Sequence, residues 1–199
     1  QDPYTSYYDA KVVRDFVALT QKLGFEPIIL PFKPNGKAMH IKGFLTRFSK
    51  TAKTQAEFLN RVAKLNVPLV GVDPAIVLSY RDEYKEALGD SRGDFHVFTA
   101  HEWLTKQLES NALQSVVKNI AKSDRTFEWH LFPHCTESTF MPNSPKEWQH
   151  IFAQFGQTLN VEKVGCCGMA GVFGHEVQNQ TMSKEIYDVS WGKKLQGKD

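Results

Sequence analysis

All three cysteines of this chain fall in two short segments, His134-Cys135-Thr136-Glu137 and Val164-Gly165-Cys166-Cys167-Gly168-Met169-Ala170-Gly171. These segments bracket what reads as one strand-helix-strand unit. Phe127 to Phe132 is an aromatic-rich strand candidate, and Val161 to Val164 is a second one, cut off by Gly165. Between them, Pro145 to Phe155 carries Trp148, Ile151, Phe152 and Phe155 at helical spacing, with Ser144 as N-cap, Pro145 at the first helical position and Gly156 as the stop. In a parallel sheet both strands of such a unit point the same way. Cys135 and the Cys166-Cys167 pair should therefore emerge at one edge, where open α/β sheets place their ligands.

Thiolates are soft ligands suited to zinc or to an iron-sulfur cluster, and glycines beside them let the backbone approach without a Cβ in the way. A metal site is the favoured reading of three thiols at one edge. The bland alternatives are buried apolar cysteines, or a disulfide joining Cys135 to Cys166 or Cys167. Vicinal cysteines are poorly placed to pair with each other, and an odd count argues against a disulfide framework. His134, Glu137, His175 and Glu176 flank the cysteines and could ligate directly or tune a metal through hydrogen bonds. Nucleophilic chemistry at Cys135 is conceivable because a helix follows it, but no oxyanion signature accompanies it.

The chain has 199 residues and a formal charge of +2, from 24 basic and 22 acidic residues, which gives no reason to expect nucleic acid as a partner. Its length suits one domain or a pair of fused half-domains. No apolar run approaches transmembrane length, no signal peptide is evident, and the expected location is intracellular. The chain opens at Gln1 and reads as a piece of something longer.

Along the chain, Tyr8 to Leu23 is an amphipathic helix ending at Gly24, Phe25 to Leu30 a short apolar strand, and Pro31 to Lys37 a turn-rich loop. Ile41 to Leu65 is helical, Val67 to Val72 a buried strand, and Ala75 to Leu88 contains a short helix. After a polar loop, Phe95 to Thr99 is a strand, followed by helices over Ala100 to Leu108 and Asn111 to Ala121. Lys122 to Arg125 is the expected joint between halves, and Gln180 to Leu195 a last helix. The four tryptophans, Trp103, Trp129, Trp148 and Trp191, suit core or interface positions. His40, Lys42, Lys33 and Lys37 form a small basic loop that could meet an anionic ligand, although a solvated surface is the commoner fate.

The two ends of the chain resemble each other when Gly24 is laid on Gly156, for a helix stops at each and a second glycine follows twelve residues on, Gly36 and Gly168. Asp2 to Ser6 then falls opposite His134 to Ser138 with one residue of slippage. The expected fold is α/β, with two related βαβ-containing halves, 1–121 and 125–199, and a mostly parallel sheet flanked by helices. By the same symmetry the second half should lead to a further strand near position 205, where additional cysteines would be sought.

With these residues in view, the chain resembles the cysteine-rich domain with Cys-Cys-Gly motifs found in heterodisulfide reductase subunits and in glycolate and glycerol-3-phosphate oxidising systems. Cys135 and Cys166-Cys167-Gly168 match the first parts of that motif, whereas Asp2-Pro3 and Pro34-Asn35 carry no cysteine, so at most one cluster is expected. Lys33-Pro34-Asn35-Gly36-Lys37, Val70-Gly71-Val72-Asp73-Pro74-Ala75 and Cys166 to Glu176 further resemble the C-terminal region of large bacterial FAD-linked oxidoreductases of the D-2-hydroxyglutarate or D-lactate dehydrogenase type. The resemblance implies a single cysteine-rich domain, truncated at its C-terminus, that passes electrons within a larger enzyme. It further implies a 4Fe-4S cluster bound through Cys135, Cys166, Cys167 and Gly168, with FAD on another domain. Its implied partners are that FAD domain, a small 2-hydroxy acid and an electron acceptor, and its location is cytoplasmic or peripheral to the inner membrane.

Overall fold

A computed structural model describes residues 3–120 and 127–196. The expected joint at Lys122 to Arg125 lies outside the described residues. Two parallel two-stranded sheets organise the chain. In the first, β1 (Leu69–Gly71) pairs with β2 (Val97–Thr99), and in the second, β3 (Glu128–Leu131) pairs with β4 (Thr158–Val161). Each pair is closed by helices in the connection, as parallel pairing requires. The α/β class with parallel strands and flanking helices is thus the observed one.

The helices begin with α1 (Pro3–Tyr7), ahead of the expected helix over 8–23, which is observed as α2 (Ala10–Lys22). Next come α3 (Lys37–Ile41) and α4 (Leu45–Ala63), separated at Lys42-Gly43-Phe44, where Gly43 has φ +75°. A left-handed residue cannot continue a right-handed helix, so a single run over 41–65 is excluded. Between β1 and β2 stand α5 (Pro74–Arg81) and α6 (Glu83–Leu88). Asp73 caps α5 by accepting from the Ile76 N–H at 3.1 Å, with Pro74 at the first helical position.

After β2 follow α7 (Ala100–Leu108) and α8 (Asn111–Ile120), and between β3 and β4 stand α9 (Cys135–Phe140) and α10 (Ser144–Gln154). Ser144 is the first residue of α10 and makes no side-chain cap, so the expected N-cap role is not filled. The chain ends with α11 (Gln180–Val189) and α12 (Trp191–Leu195), broken at Ser190 where one helix was expected. Two further departures concern strands. β4 lies three residues before the expected Val161 start, and Phe25 to Leu30 runs without turn or bend but joins no described strand.

Two apolar clusters hold these elements. Phe48, Ala52, Ala56 and Leu59 of α4 pack with Ile76, Val77 and Tyr80 of α5, Tyr84 of α6, and Leu69 and Val97 of the first sheet. The second cluster gathers Leu23, Trp103, Leu104 and Leu108 with Leu113, Val117 and Ile151, and Val70 and Phe98 reach it from the opposite face of the first sheet. Alternate residues of β1 and β2 thus enter different clusters, as a strand covered on both faces demands. No helix among the described residues is long and apolar enough to cross a membrane.

Candidate functional site

The parallel pairing of β3 and β4 decides where the cysteines emerge. Leu131 is in register with Val161, and the Glu162 N–H continues the ladder to the Leu131 carbonyl at 2.9 Å. Cys135 follows β3 by four residues as the first residue of α9, and Cys166 follows β4 by five. Both therefore sit beyond the C-terminal ends of neighbouring parallel strands. All three thiols are free, with Cys135 and Cys166 exposed and Cys167 partly so. Among the described residues, no three His, Cys, Asp or Glu side chains gather into a group that could hold a metal.

The loop carrying Cys166 and Cys167 is built for close backbone approach. Gly168 is left-handed at φ +86°, and a Cβ there would lie 2.1 Å from the Ser183 carbonyl oxygen. Ser183 Oγ in turn donates to the Gly168 carbonyl at 2.8 Å, and the Gly168 N–H donates to Cys166 Sγ at 3.3 Å. Upstream, Gly165 donates its N–H to Ser190 Oγ at 2.6 Å and accepts from Trp191 Nε1 at 3.2 Å. Ser183 of α11, Ser190 at the break and Trp191 of α12 thus clamp the cysteine loop at both ends.

The first half of the chain covers the far side of this loop. Tyr4 donates its hydroxyl to the Gly171 carbonyl at 3.1 Å, and Tyr4 and Tyr8 each lie 5.5 Å from the His175 ring. Lys42 forms an ion pair with Glu176. His175 and Glu176 are therefore engaged by the N-terminal elements, and His134 occupies the exposed cap position of α9, where its carbonyl accepts from the Ser138 N–H at 2.8 Å. The cations of the basic loop have local partners too: Lys37 pairs with Glu83, and Lys33 lies 5.0 Å above the Phe58 ring.

Glu137 takes a role that its position beside Cys135 did not announce. It is 7% exposed, and its Oε1 lies 3.2 Å from His101 Nδ1 and accepts from Trp148 Nε1 at 3.3 Å. His101, 1% exposed, meets Glu147 Oε2 at 3.3 Å through its other nitrogen and Thr99 Oγ1 at 3.1 Å. Thr99 and Glu102 form a capping box at the start of α7, and Glu102 receives Arg81, which also donates to the Val97 carbonyl at 2.8 Å. Burial alone would raise the Glu102 pKa, but the Arg81 guanidinium and the Thr99 donors more than offset it and hold the carboxyl below its ordinary value. This polar layer ties β2 and α7 to α9 and α10. The Thr99-x-x-Glu102 pattern after a strand was a legible signal for part of it, whereas the convergence on His101 is tertiary. A cavity of about 300 Å³ adjoins the layer, walled in part by Arg81, Glu102, Met141 and Glu147, with no cysteine in its lining.

Comparison with known proteins gives a consistent set of relatives. The chain is 82% identical over 199 residues to the D-2-hydroxyglutarate dehydrogenase of Haemophilus influenzae, covering all of this chain and 19% of that protein. It is 57% identical over 196 residues to the Escherichia coli protein of the same name and 55% identical over 196 residues to that of Pantoea ananatis, covering 98% of this chain and 18% of each relative. The chain spans about a fifth of the length of the curated proteins it matches. No protein-family model matches the chain, and no solved structure matches it either.

Proposed function

We propose that residues 1–199 form a cysteine-rich domain of an FAD-dependent D-2-hydroxy acid dehydrogenase, of the D-2-hydroxyglutarate or D-lactate type. The observation that carries this reading is 82% identity, sustained over the whole chain, to a D-2-hydroxyglutarate dehydrogenase about five times as long. The hydride chemistry would then occur on a flavin held by another part of the same polypeptide. The domain's contribution would be a 4Fe-4S cluster held by Cys135, Cys166 and Cys167. Such a cluster, when bound, carries single electrons between the flavin and an acceptor.

The residues present fit that group in chemistry but not in number. Three free thiols lie beyond one edge of a parallel sheet, Gly168 offers an amide to Cys166 Sγ, and its missing side chain lets the loop close on Ser183. Hydrogen bonds of this kind tune the potential of a thiolate-bound centre. Four-coordinate sites need one more ligand, which the proposal assigns to polypeptide outside these residues. The chain's own residues hold the thiols in place: Ser183, Ser190 and Trp191 from below, Tyr4 and Lys42 from the first half. A cytoplasmic protein, soluble or peripheral to the inner membrane, is the setting this reading favours.

The absence of a three-ligand group among the described residues favours a second reading, a metal-free interaction module or a thiol-based redox domain, over the further alternative of a zinc-stabilised module. Anaerobic reconstitution of the full-length protein with iron and sulfide separates them. Stoichiometric iron and sulfide with a visible band that Cys166→Ser removes is the expected result. Zinc alone would leave the zinc-stabilised module, and no metal with all three thiols titrating free would leave the second reading.

A further inference from the structure

The segment Glu26 to Leu30 has the marks of a strand whose partner is missing. It runs without helix, turn or bend, Ile28 is 84% and Ile29 50% exposed, and no backbone N–H or C=O over residues 26–34 makes a backbone hydrogen bond among the described residues. Its ends are nevertheless anchored in the two clusters that β1 also enters. Phe25 packs on the cluster around Trp103 and Leu30 on the cluster around Phe48, the two clusters that Val70 and Leu69 also enter from opposite faces. A ladder-competent backbone and apolar side chains left open at mid-segment are the features of an unpaired edge.

The second half shows what fills the corresponding place, and this argument rests on the reading of the chain as two related halves. With Gly24 laid on Gly156, α1 and α9 both begin together, at Pro3 and Cys135, and α2 and α10 both end together, at Lys22 and Gln154. Both α2 and α10 close with the same pair of bonds. Gly24 and Phe25 donate to Gln21 and Thr20, while Gly156 and Gln157 donate to Ala153 and Phe152. Gly36 and Gly168 are both left-handed, at φ +81° and +86°. Under this alignment Glu26 to Ile29 falls on β4, Thr158–Val161, and β4 pairs in parallel with β3. The counterpart of β3 falls just ahead of Gln1.

Direction follows as well. Glu162 donates to β3, so Asn160 and Thr158, two and four residues before it, face the same way; their counterparts are Leu30, Ile28 and Glu26. Pro27, which has no N–H, then points away from the missing partner and leaves that ladder intact. We infer that Glu26 to Leu30 is the receiving strand for a parallel β-strand supplied by the same polypeptide outside residues 1–199, immediately N-terminal to Gln1. The relatives, about five times longer than this chain, show that homologous proteins have ample polypeptide to supply it.

Hydrogen exchange on the full-length protein tests this. The Ile28 and Leu30 amides should exchange roughly a hundredfold or more slower than unstructured amides, as ladder donors do. A photo-crosslinking residue in place of Ile28, whose side chain is 84% exposed here, should capture the residues just ahead of Gln1 in the same polypeptide. Protected amides in α4 would certify that this variant folds. Fast exchange at both amides overturns the inference. So does capture of a second copy, or of a distant part of the chain, and the latter would also sink the two-half reading while leaving a paired strand. Neither readout depends on iron, so failure of the cluster proposal would leave this one standing.

Discussion

A methyl group added at Gly168 would meet the Ser183 carbonyl oxygen at 2.1 Å, whereas one added at Gly24, also left-handed, would find nothing within 4 Å. The pair separates two costs. Gly24→Ala should lose about 1 kcal/mol from its conformation alone, and Gly168→Ala roughly 2–4 kcal/mol because packing strain adds to it. Denaturant midpoints compare them, and equal losses would remove the close approach as the reason for glycine at 168. At His101 the issue is stranded polarity. Removing His101 leaves the buried Glu137 with Trp148, and removing Glu137 leaves His101 with Glu147 and Thr99, so each alanine variant should cost roughly 2–3 kcal/mol, and the double-mutant cycle should show coupling of about 1–3 kcal/mol. The Glu102 carboxyl, held below its ordinary value of 4.5, contributes stability that is present above that value and is lost as pH falls through the lower folded one. Acid titration of stability should therefore show a limb below about pH 4.5 that Arg81→Gln shallows. An unchanged limb would assign acid sensitivity to other carboxylates, among them Glu83 beside Lys37.

Among the elements, the last two helices matter through their grip on the cysteine loop rather than through the core. Among the described residues, α12 has no buried position, yet Trp191 reaches Gly165 at 3.2 Å and packs its ring 5.0 Å from Phe132. Trp191→Phe keeps the ring and removes the donor, a loss of about 1 kcal/mol felt by the loop. Alkylation of Cys166 should accelerate several-fold, measured against Cys135 in the same molecule as the internal control. No acceleration would show that Ser183 and Ser190 hold the loop unaided. α9 is a similar case. Six residues long, it is too short to persist alone, and the burial of Glu137 between His101 and Trp148 fixes it against α7 and α10.

Across the whole molecule, the two apolar clusters share the first sheet, since Leu69 and Val97 enter one while Val70 and Phe98 enter the other. Such sharing predicts one cooperative transition. Trp103→Ala, at a 6% exposed position, should cost about 3–5 kcal/mol and lower the melting of α4 and α7 together. Two separated transitions would mean that the clusters unfold independently.

What the sequence by itself determined is written in local chemistry. Left-handed glycines at 24 and 156 end helices wherever they stand, Asp73-Pro74 starts one, and the spacing of aromatic residues from Phe127 to Phe155 specifies a βαβ unit. From that unit alone it follows that Cys135 and Cys166 leave one edge of a sheet. Long-range encounters were not legible, because they depend on which faces meet. Glu137 beside a cysteine reads as a tuning group, and only the approach of α7 makes it the buried partner of His101. The folded chain likewise brings Tyr4, Tyr8 and Lys42 onto Gly171, His175 and Glu176, from positions more than a hundred residues away. Strand pairing belongs to the same class: Phe25 to Leu30 has the composition of a strand, but a strand exists only when a neighbour supplies its hydrogen bonds, and among the described residues none does.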